Sequence, residues 1–559
     1  MNAHDITARR WSKIANGAGW LGGLVVIVWF AVLLVRYHVH FVAEVDSQGY
    51  FLIARSFSRF EWPRWAEDLS RFYGAVWVQV GDQQVLSKYP PGWPALLTLG
   101  YWVAGLDGAL WVNTILAVIS AVAFFLLAWR LFNSPVAFIC TTLWLSAPMV
   151  PAYLNYPLSH CADVTVTVLA FLFTVVWAQT GRRWAAVAAG FCAGFLPAIR
   201  PANVLLWPAL VAMVWVTAER RPVRWRAFLL AWAVPVALFA VYNWISFDAP
   251  WRTGYAFTNE QTGFGWRLLG QRWRFIPKLA QTFLEPRWWW LILAGVLAGW
   301  RRWKLLVTFA LWIAPLLLTY GSYYFFYPNE TALRFLLAVF PAFILCIGFL
   351  LTHRITTDGR VRVAVLAGFI LWLGLVAPGF CSSLQRLQQG YRYTYEEVCA
   401  SAVARLTSMF QQMPTRYPAA LLQQHLGPGP TAIYATGRIG WTFGAERNSI
   451  NYEFLSWNSP HYFAAPSERC ARQDVWEDPR RHAQRHAWYA RVGRDGLRQD
   501  FLQHVQRDLA AGRRVYFADP GGWPMREWLR TDTGLSVEPS DLPGLLRIQH
   551  SRAASDSGR

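Results

Sequence analysis

Residues 17–36 read GAGWLGGLVVIVWFAVLLVR and follow Arg9, Arg10 and Lys13. An apolar run of this length, at about 1.5 Å per helical residue, spans the roughly 30 Å hydrocarbon core of a bilayer. A basic start followed by an apolar run also describes a signal peptide. No small-x-small cleavage site follows Arg36, so the segment is expected to stay as an uncleaved signal anchor.

Working outward from this run, similar stretches recur to Phe380. They are Gly108–Arg130, Pro135–Ala152, Cys161–Gln179, Trp184–Ile199, Ala202–Thr217, Ala227–Ile245, Trp288–Trp300, Leu305–Tyr320, Phe335–Leu351 and Val361–Phe380. With the first they make about 11 expected transmembrane helices; the Trp288 run is the shortest. Pro91–Gly105 is also apolar, but at about 15 residues it is short for a span. It is expected to lie as a helix against the outer membrane surface.

Composition agrees. Of 559 residues, 55% are hydrophobic and only 15% charged, against about 25% charged in a soluble domain. That excludes a disordered chain and fits a soluble enzyme poorly. Trp, with 34 copies, favours membrane–water interfaces. The net charge of +20 would suggest nucleic acid on a soluble protein; on a membrane protein it first suggests topology. With the N-terminus inside, the basic residues fall in alternate short segments: Arg9, Arg10 and Lys13; Arg130; Arg182 and Arg183; Arg220, Arg221, Arg224 and Arg226; Arg301, Arg302 and Lys304; Arg354, Arg360 and Arg362. The loop Tyr153–His160 carries no Lys or Arg. Counting Pro91–Gly105 as a span would invert every later loop. The expected protein is therefore multi-pass in the inner (plasma) membrane, with a cytoplasmic N-terminus.

After Phe380 the chain turns polar and Arg-rich. Short strand-like runs, Thr431–Ala435 and Arg514–Ala518, alternate with Pro and Gly punctuation. A mixed α/β domain, 381–559, is expected on the extracytoplasmic side, following a transmembrane domain, 1–380. Cys381, Cys399 and Cys470 lie in this tail and allow one disulfide; Cys140, Cys161, Cys192 and Cys346 lie in apolar runs and read as core. No CxxC or Cys/His metal spacing occurs.

The loop that opens after the first span, 37–107, is long and aromatic, which favours function over a passive connection. It holds Glu44-Val45-Asp46-Ser47-Gln48-Gly49-Tyr50 and then a helical pattern. Tyr50, Ile53, Ala54, Phe57 and Phe60 share one face, and Gln48, Arg55 and Arg59 the other, which reads as an interfacial amphipathic helix. Asp46 at its start is either an N-cap or a catalytic carboxylate at headgroup depth. The loop closes with Ser87-Lys88-Tyr89-Pro90-Pro91-Gly92-Trp93-Pro94. Lys88 there either snorkels or holds a lipid phosphate.

These residues, in this order, resemble the GT-C superfamily of membrane glycosyltransferases that use polyprenyl-phosphate sugars. The protein O-mannosyltransferase and aminoarabinose lipid A transferase group is the nearest match. Later segments share the resemblance: Trp129-Arg130-Leu131-Phe132, Ala198-Ile199-Arg200-Pro201-Ala202, and Arg334-Phe335-Leu336-Leu337 with Pro341 beyond. The resemblance covers roughly Gly17–Phe380. It implies an all-α polytopic, GT-C-like membrane domain with juxtamembrane helices in the first outer loop.

It also implies an inverting transferase moving a sugar from a polyprenyl-phosphate donor to an acceptor at the outer face. In that chemistry a base takes a proton from the acceptor hydroxyl, and cations hold the leaving phosphate. The resemblance puts Asp46 in the catalytic position. Lys88, Arg200 and Arg334 become the donor-phosphate ligands, and Glu44, Tyr50, Tyr89 and Asp163 secondary or substrate-binding groups. Asp163 is alternatively a solvated span end, His160 a surface residue or its partner, Arg200 a snorkelling side chain, and Arg334 a partner of Glu330. A divalent cation is a possible cofactor if Glu44, Asp46 and Asp163 converge. The loop Ser246–Pro286 brings Tyr255, Glu260, Arg267, Arg272 and Arg274 without assigned roles. The aromatic run Tyr323–Tyr327 fits an interfacial belt or a sugar-stacking surface. The competing classes are a flippase or transporter of a lipid-linked glycan and a non-catalytic envelope-assembly protein. A transporter calls for ionisable residues deep in the spans and for repeat symmetry. Here the candidate charges sit at span ends.

Overall fold

The computed structural model describes residues 3–36, 38–39, 42, 45–66, 77–80, 84–147, 149–218, 225–258, 260, 263–272, 286–323, 334–355, 431–435, 479–518, 524–540 and 545–551. The apolar runs named above from Gly17 to Leu351 fall largely in helix, but two are not single helices: Pro135–Ala152 is divided between Ser134–Ser146 and Met149–Asn155, and Ala202–Thr217 between the 3-10 turn Pro201–Leu206 and the helix Trp207–Thr217. Val361–Phe380 and the three tail cysteines lie outside the described residues. Among the described residues, six helices are long and apolar enough to cross a membrane: Lys13–Val35, Gly92–Leu131, His160–Thr180, Trp225–Phe247, Trp300–Gly321 and Arg334–Thr352. The helices Ser134–Ser146, Arg183–Ile199 and Pro201–Thr217 are apolar but shorter. The Trp288 run forms Pro286–Ala298, 13 residues, about 20 Å long and short of a full crossing. The chain is a multi-pass membrane protein.

The chain divides into two compact units. One comprises Met1–His38, Asn113–Phe239 and Phe264–Ser408; the other comprises Val39–Val112, Ala240–Gly263 and Met409–Arg559.

At the centre of the first unit is the helix His160–Thr180, buried along nearly its whole length, as expected of a helix that is apolar all round. The first helix, by contrast, leaves Leu21, Leu24, Val25, Val28, Val32 and Val35 exposed while Phe30 and Leu34 are covered. That is the pattern of a helix with one face to lipid. Close approaches are made where side chains are smallest. Gly190 and Gly194, four apart on Arg183–Ile199, face Phe228 and the Trp232 carbonyl so tightly that a Cβ on either would collide, the small-xxx-small device of membrane helices. Trp312 binds three elements together. Its ring stacks on Phe171 at 3.7 Å, and its indole N–H donates to the Ala338 carbonyl at 3.0 Å.

The second unit holds the first outer loop. Helix Val45–Ser58 is followed by three short strands, Trp65–Ala66, Trp77–Val80 and Gln84–Ser87, in an antiparallel sheet with the last strand central. The apolar stretch 91–105 is helical, as expected, and is set off from the span that follows. The backbone leaves helical geometry at Ala104 and Gly105, and Gly105 adopts φ +60°, which glycine tolerates without strain. The chain doubles back there: Gly100 and Gly108 face one another with no room for a Cβ.

One expectation for this unit is corrected. Helix Val45–Ser58 does not offer its apolar face to lipid, because protein already covers it. Tyr50 packs on Tyr89 and Trp93, Phe57 on Tyr242, and Thr98 donates to the Ala54 carbonyl at 3.2 Å. Phe51, Leu52, Ile53 and Gln48 are buried too. Only Phe60, beyond the helix end, stands out, stacked on Trp102.

The tail contributes a four-stranded mixed sheet, Thr431–Ala435, Arg514–Ala518, Leu545–His550 and Leu535–Pro539 in spatial order. The first pair is parallel and the others antiparallel. Both strand-like runs read from the tail sequence are strands of this sheet. Helices Pro479–Ala510 and Pro524–Thr531 bury Phe501, Val505, Trp528 and Leu529 with it.

Candidate active site

Two polar clusters contain the residues singled out by sequence, one in each unit.

In the second unit, Asp46 lies within the first turn of Val45–Ser58, not in front of it. A carboxylate there is favoured by the free amides of the helix start. Its partner is Tyr89, whose hydroxyl donates to the Asp46 carboxylate. Burial, and next the charge of Asp46, push the Tyr89 phenol well above its ordinary value of 10.0, so it remains a neutral donor. Tyr50 stacks on Tyr89 with centroids 4.3 Å apart. Gly49 permits this approach, since a Cβ there would meet the Ser87 hydroxyl at 2.8 Å and the Tyr89 ring at 3.0 Å.

Lys88 leaves the end of strand Gln84–Ser87 beside these rings, with its ammonium 5.9 Å from the centroids of both Tyr89 and Tyr255. It is buried and ion-paired with Glu260. Glu260 and Tyr255 arrive on the loop after Trp225–Phe247, through the 3-10 turn Gly254–Phe257. Gly254 rests on the Lys88 backbone, where a Cβ would collide. Lys88 therefore does not snorkel. Glu260 and Tyr255 were visible as candidates in sequence, but their partner lies 172 residues away, beyond any local signal. Glu44 lies outside the described residues.

In the first unit, Asp163 and His160 open helix His160–Thr180. Neither is solvated, since both are 3% exposed. Asp163 accepts from the Asn203 amide at 2.8 Å, and its other oxygen lies 3.9 Å from Arg200 Nη1. Arg200 terminates helix Arg183–Ile199 with extended backbone, φ −145° and ψ 118°, because the following Pro201 disfavours the helical region. The turn Pro201–Leu206 then returns Asn203, whose N–H bonds the Arg200 carbonyl at 2.9 Å.

The Arg200 guanidinium also lies 2.6 Å from His160 Nδ1 and bonds the Tyr320 hydroxyl. It sits 4.9 Å above the Phe335 ring, a face that attracts cations. Thus His160 pairs with Arg200 and not with Asp163, and Arg200 is held by four neighbours instead of snorkelling. Arg334 starts the turn Arg334–Val339 and is buried, its guanidinium 5.6 Å from the Phe335 ring. Glu330 lies outside the described residues. Of the run Tyr323–Tyr327 only Tyr323 is described; it stacks on Phe264 at 4.7 Å.

The sequence signal for this cluster was a His and an Asp one turn apart inside an otherwise apolar run. Asn203, Tyr320 and Phe335 gave no such signal. Among the described residues no three His, Cys, Asp or Glu side chains converge as a metal set. Asp163 accepts from Asn203 with one oxygen and holds the other 3.9 Å from Arg200.

No protein-family model matches the chain, and no curated protein matches it. Solved structures do. ArnT from Cupriavidus metallidurans bound to undecaprenyl phosphate aligns over 96% of this chain and 98% of that one, at 13% identity and a TM-score of 0.53. The same protein in the apo state aligns over 95% and 98%, at 14% and 0.49. The Archaeoglobus fulgidus oligosaccharyltransferase in complex with Zn and sulfate aligns over 80% of this chain and 66% of that chain, at 13% and 0.44. The first alignment, over nearly the whole of both chains, shows that this chain shares the fold of ArnT.

Proposed function

We propose that the protein is an integral-membrane inverting glycosyltransferase that moves a sugar from a polyprenyl-phosphate donor to an acceptor hydroxyl at the outer membrane face. The observation that carries this reading is the setting of Asp46. It is a partly buried carboxylate in a helix's first turn that accepts a hydrogen bond from the neutral Tyr89 phenol. The fold supports it, being shared with an enzyme solved with undecaprenyl phosphate.

Each group has a role its own surroundings suit. Asp46 takes the proton of the acceptor hydroxyl as that oxygen attacks the anomeric carbon. The carbon–oxygen bond to phosphate breaks on the opposite side, and the phosphate leaves with the bonding pair. Lys88, in the same unit as Asp46, neutralises the leaving phosphate; Arg200 and Arg334, which the family resemblance also assigns to donor phosphate, lie in the other unit. Lys88 exchanges Glu260 for phosphate oxygen, while Arg200 keeps its protein neighbours and contributes charge. Tyr50 and Tyr89 form the stacked wall beside the base, and Asp163 fixes Arg200. The tail sheet and the outer ends of the spans are extracytoplasmic in this reading, with the N-terminus inside.

The test is Asp46→Asn, assayed in detergent for consumption of a polyprenyl-phosphate sugar. Loss of a general base is expected to lower turnover by about 10²–10⁴-fold. A folded variant with undiminished turnover overturns the assignment. A wild-type protein that consumes no such donor but moves a lipid-linked glycan between leaflets would identify a transporter instead.

A further inference from the structure

His160 is used above only as a neighbour of Arg200, yet its geometry fixes more than that. A guanidinium has N–H donors and no acceptor. The 2.6 Å contact between Arg200 Nη1 and His160 Nδ1 therefore requires Nδ1 to be unprotonated. The imidazole is then neutral and carries its proton on Nε2. That N–H has no hydrogen-bond partner among the described residues, although His160 is 3% exposed. Nε2 is not among the fully buried polar atoms that lack a partner, so an acceptor can reach this donor from outside the ring's packing.

Its surroundings state what kind. The ring is held edge-on by Phe335 at 5.8 Å and Tyr153 at 6.2 Å, so the donor is aimed, not free to rotate. Arg200 and Arg334 both lie close enough for their charges to act on it. His160 is also the first residue of a 21-residue helix, and its cap, Ser159, makes no side-chain hydrogen bond to the helix start. Arg200, on the Nδ1 side of the ring, and Arg334 thus add positive charge near an imidazole that opens a helix. The small accessible fraction marks a narrow approach, suited to an oxygen of a larger ligand.

We propose that His160 Nε2–H is a binding donor for an oxygen of a phosphate monoester or diester, held with Arg334 and with Arg200 behind it. The inference rests on the donor class proposed above, a polyprenyl phosphate. It adds a neutral hydrogen-bond donor to a set otherwise read as cations only.

Two substitutions separate the ring nitrogens. In His160→Asn the side-chain oxygen takes the place of Nδ1, keeping the acceptor for Arg200 while removing the Nε2 donor. In His160→Gln the amide N–H reaches the place of Nε2, keeping the donor while removing the acceptor. Full-length protein in detergent would be titrated with undecaprenyl phosphate, inorganic phosphate and undecaprenol, and each variant's melting temperature measured alongside. The expected result is undecaprenyl phosphate bound about 10–100-fold more weakly by His160→Asn, the loss of a hydrogen bond to a charged group. His160→Gln should bind within a few-fold of wild type, and undecaprenol binding should be equal in all three proteins. Inorganic phosphate bound as tightly as the lipid would name free phosphate as the source of the same chemistry. The inference fails if His160→Asn binds the lipid phosphate like wild type, or if His160→Gln alone loses it, because Nδ1 and a structural role then explain the residue. Wild type that binds neither phosphate overturns the donor reading itself, and this inference with it.

Discussion

The two polar clusters use similar side chains to opposite ends. Around Asp46 the carboxylate and the nearby ammonium have separate partners. Asp46 takes a hydrogen bond from the neutral Tyr89, and Lys88 is neutralised by Glu260. Around Asp163 the carboxylate and guanidinium share a network, with Asn203, His160 and Tyr320 closing it. A carboxylate that accepts from a neutral phenol receives no counter-charge from that partner. A carboxylate engaged by an amide and a guanidinium does receive one. On the proposed reading Asp46 reacts, and Asp163 holds Arg200 in place.

The largest expected effects test that contrast directly. Asp46→Asn should lose about 10²–10⁴-fold in turnover with only a small change in melting temperature, because the amide oxygen still accepts from the Tyr89 hydroxyl. Asp163→Asn should do the reverse. It leaves Arg200 buried without its counter-charge, a change that costs about 3–5 kcal/mol in comparable pairs, read as a clear fall in melting temperature in detergent. Asp163→Asn with unchanged melting and turnover as low as Asp46→Asn would break the comparison, since Asp163 would then be the reacting group.

The next effect concerns Lys88. If Glu260 only stores the ammonium until phosphate arrives, Glu260→Gln frees Lys88 and should tighten donor binding several-fold, about 1 kcal/mol. Lys88→Met should weaken it at least as much. A Glu260→Gln variant that binds donor more weakly than wild type would mean that the pair positions Lys88, and that the carboxylate must stay in place during binding.

What could be read from sequence follows the range of the forces involved. Spans were legible because hydrophobic burial writes itself along the chain: Cys161–Gln179 became His160–Thr180, and Ala227–Ile245 became Trp225–Phe247. The turn at Gly105 was legible through the length of the run before it. The tail strands Thr431–Ala435 and Arg514–Ala518 were legible through β-rich composition between Pro and Gly. Partners were not. Lys88 meets Glu260 across 172 residues, and Arg200 meets His160 across 40, through helix packing that no local pattern encodes. The helix at Tyr50 was misread for the same reason. Its amphipathic pattern states that one face must be buried, but not whether lipid or Trp93 and Tyr89 bury it.

The smallest effect sharpens the Asp46 side of the comparison. Tyr89→Phe keeps the stack on Tyr50 and removes only the hydroxyl bonded to Asp46. One such bond is worth about 1 kcal/mol net, so kcat/KM should fall about five-fold, by orientation of the base and not by its loss. The pH dependence distinguishes this from proton transfer by Tyr89 itself. Burial first and Asp46 second raise the phenol well above its ordinary value. A raised value favours the neutral form, so the hydroxyl contributes fully at lower pH and is lost only as pH climbs through that raised value. The ratio of wild-type to Tyr89→Phe activity should therefore stay level between about pH 6 and 9, below even an unperturbed tyrosine's pKa of about 10. A ratio that declines across this window would mean that the phenol ionises in the working range. Asp46 would then face a phenolate instead of a hydrogen-bond donor, and the contrast with Asp163 would lose its neutral partner.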